Sequence, residues 1–410
     1  MKYEKILLEN GLRIAICTNP QAKVNHVAFF VRGGSRDETI RNSGLAHLIE
    51  HTLFKGTKNR STTQILNSID SVGGELNAYT TKELTCLYAS CPQNYLALAI
   101  DVIGDIVSNS LFPVKEIEKE KIVIKDEINL YKDSPSELIY DDFEELIFKG
   151  HPLSNSILGD PDKLESLTQK EIFAFYRTNY CVKNLTVAVY TSKSVADIVS
   201  LITKSTQALN QGKKQSLVPI KLKSKSFNTI VKKDFSQFHH VIGKQAYANK
   251  HKNKSALILL NNILGGPSMN SVLNMNIREK YGYTYQIESN YQSYFDGGLF
   301  SVYFATDKAQ YEKTKKLVMN ELSVFPEKQL TKRKIEKAKE QFIGQLIMAQ
   351  ESPINAMLSV GKNLLLHDSY ESFEEIIQRM SDLKAEQLLS VANEMLDIKT
   401  MSSLTYEPTK

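Results

Sequence analysis

The segment from Ser43 to Phe54, SGLAHLIEHTLF, restricts the fold more than any other part of the chain. On a helix, His47 and His51 stand one turn apart (i, i+4), with Cβ atoms about 5–6 Å apart, and Glu50 lies beside them. The other positions, Leu45, Ala46, Leu48, Ile49, Leu53 and Phe54, are apolar nearly all round, the pattern of a buried helix rather than a surface one. Three ionisable groups on one arc of a buried helix cost several kcal/mol unless something satisfies them. A divalent metal with an open position for water does so, and two imidazoles one turn apart can share it.

The pattern is H-x-x-E-H, in which two imidazoles bind zinc and the carboxylate, here Glu50, accepts a proton from the metal's water. A catalytic zinc needs a third protein ligand. The charged stretch EIEKEKIVIKDEI (116–128) has helical apolar spacing, and Glu120 and Glu127, two turns apart, share a face. Spacing alone does not choose between them or their neighbours.

The rest of the chain reads as two α+β halves. Strand-like KILLEN and LRIAICTN flank Gly11, and VNHVAFFV leads to Gly33-Gly34. Helices are expected at 43–55, 61–71, 92–109, 113–131 and 168–179, two strands within ELNAYTTKELTCLYASC, and a strand at 185–191. Residues 206–226 are polar and aperiodic, which places a linker there between domains 1–205 and 227–410. The second half repeats the plan. Strands are expected at 228–233, 238–247 and within 283–305, and helices at 254–264, near 270–280, and at 308–324, 330–350 and 353–366.

At 410 residues with 42% apolar and 24% charged residues, the chain is an ordinary globular composition with room for two to four domains. The net charge of +5 is too small to mark a nucleic-acid binder, and the eight lysines between Lys204 and Lys233 read as a solvated linker. The halves differ, at −4 for residues 1–200 and +9 for 201–410. Four cysteines, none spaced C-x-x-C, form no disulfide framework. Glutamates interrupt the N-terminal apolar stretch, and no run of 18 apolar residues occurs, so a cytoplasmic protein with no membrane partner is expected.

Several motifs together resemble the inverzincin zinc metallopeptidases of the pitrilysin and mitochondrial processing peptidase type. They are GSRDE (34–38), GLAHLIEHTLFKGT (44–57), GGELNAYTTKELT (73–85), EKIVIKDEI (120–128), HPLSNSILG (151–159), LGGPSMNS (264–271) and REKYGYTY (278–285). The resemblance implies a Glu about 76 residues after the second His as third ligand, which is Glu127, and a supporting role near the metal for Glu120. It implies one Zn²⁺ per chain and hydrolysis of a peptide bond with Glu50 moving the proton. Glu75–Thr80 resembles the edge strand to which an extended peptide adds, with Asn77 and Ala78 nearest the scissile bond. Arg278 and Tyr285 match a pair that reaches the substrate backbone and the developing oxyanion. One departure is Val272, where many relatives carry Arg.

The fold implied is α+β, two similar domains each with a mostly antiparallel sheet packed against helices, forming half of a clamshell chamber. Since one chain carries both the zinc residues and the Arg/Tyr pair, a homodimer cleaving short unfolded peptides is expected. Alternatives are a precursor-processing subunit working with a sister chain, and a non-catalytic scaffold subunit, which the intact His47, Glu50, His51 and Glu127 disfavour.

Overall fold

The computed structural model describes residues 2–215, 219–220 and 225–409. Of the expected linker, residues 216–218 and 221–224 lie outside them. The chain forms two compact units that each draw on both halves of the sequence. The first comprises Met1–Ile128, Asn155–Leu217 and Met348–Phe373; the second comprises Asn129–Ser154, Val218–Ile347 and Glu374–Lys410.

The first unit is built on strands β1 (Glu4–Leu7), β2 (Arg13–Thr18), β3 (Val24–Val31), β4 (Glu75–Thr80), β5 (Thr85–Pro92) and β6 (Leu185–Thr191). Their order is β1-β2-β6-β3-β5-β4, with β2 and β6 parallel and the other neighbours antiparallel. The run VNHVAFFV has no polar alternation because both faces of β3 are covered. Val27, Phe29 and Val31 join a core with the helices Leu45–Leu53, Leu96–Asn109 and Val114–Lys132. Ala28 and Phe30 point the other way. There they meet Met357, Leu364 and Leu365 of the helix Pro353–His367, which comes from late in the chain. Gly361 of that helix lies so close to the Phe30 ring that a Cβ would sit 2.1 Å from Cε2.

The second unit has strands β7 (Asn228–Lys233), β8 (Phe238–Ala246), β9 (Gln286–Ser293), β10 (Gly298–Thr306) and β11 (Ser402–Pro408), in the order β7-β11-β8-β10-β9. Again one neighbouring pair, β7 and β11, is parallel and the rest are antiparallel. Without β1, the first sheet has the same order of pairings, so the two halves share one topology. One face carries the helices Lys254–Gly265 and Ala385–Met395. The other is covered by Pro135–Ile147, whose Ile139, Phe143 and Ile147 pack on Val241, Tyr303, Leu404 and Tyr406. Each unit therefore takes one helix from the other half of the sequence.

Adjacent histidines on β8 face opposite sides of the second sheet. His239 Nδ1 pairs with Tyr303 Oη and His240 Nδ1 with Thr405 Oγ1, each at 2.8 Å. Burial lowers their pKa values to about 4 and about 3. All four cysteines are buried and free. Among the described residues no helix is long and apolar enough to cross a membrane.

Several elements lie where no element was expected: the helices Pro135–Ile147, Val195–Ser205, Phe373–Ser381 and Ala385–Met395, and strand β11. The expected helix near 270–280 includes a π-helical turn, Asn274–Glu279. Val272 just before it is buried in the second core, 8% exposed.

Candidate metal centre

The helix Leu45–Leu53 starts after Gly44 and buries Leu45, Leu48, Ile49 and Leu53 in the first core. That packing turns His47, Glu50 and His51 towards Val114–Lys132, which buries Ile117, Ile124 and Ile128 and so presents Glu120 and Glu127. The ligand atoms of His47, His51 and Glu127 all lie within 4.8 Å of one another. Glu127 Oε2 is 3.7 Å from His47 Nε2 and 3.6 Å from His51 Nε2. Among the described residues this is the one cluster of three His, Cys, Asp or Glu side chains suited to an ion. All three residues belong to the first unit.

The two glutamates that spacing could not separate do different things in space. Glu127 faces both imidazoles, whereas Glu120 Oε2 lies 3.0 Å from His51 Nδ1 and its Oε1 2.7 Å from Lys55 Nζ. Glu120 thus fixes the His51 ring with Nε2 pointing at the cluster. Lys55 was not singled out from the sequence; it lies just past the end of the helix that carries His47 and His51. The signal was the i+4 spacing beyond His51.

Burial lowers the His47 pKa to about 4, with the neighbouring His51 adding to the shift. The imidazole is therefore neutral and keeps its lone pair, the form that binds a metal. Its Nδ1 is buried and has no partner among the described residues. Two imidazole nitrogens and one carboxylate oxygen are the donor set of a catalytic zinc site that keeps a fourth position open. The residues present fit that ion.

Burial also raises the Glu50 carboxyl above the usual range, a shift that the polar groups of nearby Thr80 oppose. Thr80 ends β4, so Glu50 lies near the strand at the edge of the first sheet. Asn77 and Ala78 are on that strand, opposite Tyr88 and Leu87 of β5, and the other edge of β4 has no strand beside it among the described residues. Asn77 Oδ1 accepts the Ala78 N–H at 2.8 Å. A cleft of about 220 Å³ opens next to the cluster, lined by His51, Phe54, Lys55, Leu66, Leu76 and Asn77 among others. Arg278 and Tyr285 lie in the second unit, where the guanidinium sits 5.1 Å from the centre of the Tyr285 ring. Tyr285 is 86% exposed.

Residues 13–161 match the model of the insulinase family (peptidase family M16), and residues 166–342 match that of the peptidase M16 inactive domain. An uncharacterized zinc protease of Rickettsia felis is 32% identical over 97% of this chain and 96% of its own. The uncharacterized zinc protease YmxG of Bacillus subtilis is 30% identical, over 94% of each chain. A protease from Helicobacter pylori superposes with a TM-score of 0.92 at 23% identity, covering 99% of this chain and all of its own. A structure from Pseudomonas fluorescens described as a peptidase M16 inactive domain also gives 0.92, at 18% identity over 100% of this chain and 98% of its own. With both family models matched in order along the sequence, the chain belongs to peptidase family M16.

Proposed function

We propose that the chain is a zinc-dependent endopeptidase that cleaves short, extended peptides, holding one Zn²⁺ through His47, His51 and Glu127. The observation that carries this reading is the convergence of two imidazoles and one carboxylate beside Glu50 at the edge of a sheet. Zinc bound there supplies Lewis acidity, which makes water a better nucleophile at neutral pH and polarises a carbonyl.

The protein's own groups do the rest. An extended peptide adds to the open edge of β4, its backbone bonded to the strand and its scissile bond nearest Asn77 and Ala78. Such binding selects unfolded segments because only they present a free backbone. Glu50 takes the proton of the attacking water and passes it to the leaving amine, and its raised pKa suits a group that must hold that proton between steps. Glu120 orients His51. Arg278 and Tyr285 contact the substrate backbone and the developing oxyanion.

Two copies of the chain supply the four homologous domains that enclose the peptide, so light scattering on the purified protein gives twice 46.4 kDa. The test of the chemistry measures bound zinc and cleavage of a mixed peptide library for wild type and Glu50→Gln in parallel. The variant keeps its zinc and loses about 10²- to 10⁴-fold in turnover. Wild-type turnover in that variant sinks the role of Glu50, and a wild type that binds no zinc sinks the reading as a whole.

A further inference from the structure

Segments 34–38 and 151–159 have no part in the chemistry proposed above, yet residues from both meet at the start of the metal-site helix. Gly44 caps that helix with φ 88°, in the left-handed region, and has no side chain to accept the first free N–H groups. Glu38 accepts them instead: Oε2 takes the Gly44 N–H at 2.8 Å and Oε1 the Ala46 N–H at 2.7 Å. Ala46 is the residue before His47.

Glu38 is buried, and its backbone is strapped in place. Asn155 Nδ2 donates to the carbonyls of Glu38 at 3.1 Å and Ser35 at 3.0 Å. Gly159 presses on Gly44 from the other side, where a Cβ on Gly159 would come within 2.4 Å of Gly44 Cα. The same segment also grips the turn between β4 and β5. The Arg36 N–H donates to the Lys82 carbonyl at 2.8 Å, and the Arg36 guanidinium pairs with Glu83 at 2.9 Å with both groups buried. Burial pushes the Glu38 carboxyl up to about 8 against the pull of the Ala46 and Gly44 N–H groups.

We infer that Glu38 is a positioning residue: its two carboxyl oxygens hold the first turn of the metal-site helix, and with it His47, in fixed register with the hairpin whose outer strand is β4. The inference rests on His47, His51 and Glu127 being the zinc ligands. It gives the GSRDE and SNSILG segments a purpose, since one end of the bracket fixes the ligand helix and the other fixes the strand where peptide would lie.

The test reads Zn²⁺ affinity by competition with a chromogenic chelator, and ligand geometry from the visible spectrum of the Co²⁺-substituted protein. Wild type, Glu38→Gln, Glu38→Ala and Asn155→Ala are compared, each beside its metal-free unfolding midpoint. Glu38→Ala weakens zinc binding by about tenfold or more. Glu38→Gln, which keeps one acceptor oxygen, loses less, Asn155→Ala changes in the same direction, and the cobalt spectra shift in the same order. Folded variants with wild-type zinc affinity and an unchanged cobalt spectrum overturn the inference and leave the metal reading intact. A wild type that binds no stoichiometric zinc overturns the metal reading first. If Glu38→Ala does not fold, Glu38→Gln and Asn155→Ala decide by the same criterion, and a Glu38→Gln that does not fold overturns the inference, because Glu38 is then a general stabiliser.

Discussion

Replacing Gly361 with alanine sets two physical effects of opposite sign against each other. Gly361 lies inside the helix Pro353–His367, where alanine is favoured over glycine by about 1 kcal/mol in intrinsic propensity. Packing predicts the reverse. A Cβ would lie 2.1, 2.7 and 2.8 Å from three atoms of the Phe30 ring. Unstrained carbon atoms stay about 3.5–4.0 Å apart, so the helix or the ring must move by roughly 1.5 Å. Phe30 is fully buried among Ala28, Cys86, Ala188 and Met357 and has no space to swing into. Overpacking of this kind costs about 1–3 kcal/mol, and the depth of the overlap points to the upper end. The net expectation is a loss of about 2 kcal/mol, read as a lower urea midpoint with an unchanged slope. Gly344, in the helix Lys332–Gln350, has nothing within 4 Å of its would-be Cβ and is the matched control. Gly344→Ala gains about 0.5–1 kcal/mol. A Gly361→Ala protein as stable as wild type, or more so, refutes the close packing of this helix on the first sheet.

Glu120→Ala removes the partner of both His51 Nδ1 and Lys55, so the zinc dissociation constant rises by about 10- to 100-fold in a chelator competition, and unchanged affinity would mean that Glu120 does not orient His51. The histidines of β8 make the metal-free protein acid-sensitive. Their folded pKa values, about 4 for His239 and about 3 for His240, lie below the unfolded value of about 6.5, so the unfolded state binds more protons. Their contribution is complete above pH 6.5 and is lost as pH falls towards 4, by up to about 3 kcal/mol for each histidine at pH 4. Urea midpoints measured from pH 7 to 4 should show this limb, and it should flatten in His240→Gln; a limb unchanged by that substitution argues against it.

The candidate metal centre was the most legible part of the sequence, because His47, Glu50 and His51 lie on one short helix whose spacing alone brings them to one face. Glu120 and Glu127 were legible only as a pair. Both lie on one side of the helix Val114–Lys132, Glu120 buried and Glu127 half-buried, and what separates them is which groups of the facing helix each one meets, which periodicity does not encode. Glu38 was visible within a motif but silent about its role, since it reaches the first turn of the metal-site helix from six residues upstream, through a loop. Strand β11 escaped for a chemical reason: SSLTYEP alternates weakly, and its buried Thr405 is polar, with the hydroxyl satisfied by His240 on the neighbouring strand. The helices Pro135–Ile147 and Pro353–His367 show a different limit. An amphipathic pattern shows that a helix has a face to bury, but not which of two sheets of the same topology will receive it.

That exchange has a consequence for synthesis. The last strand of the first sheet ends at Thr191, while the helix that covers the Phe30 face ends at His367. At about 5–20 residues per second, a translating ribosome needs roughly 10–35 s to cover that distance. For that time the nascent chain holds a sheet-forming segment with one apolar face and no partner for it, while the helix Pro135–Ile147 is already made and waits for a sheet that has yet to emerge. The first unit cannot close before His367 has emerged and the second cannot close before β11 has, so both commit late, and the interval before His367 emerges is when the chain most needs protection from aggregation.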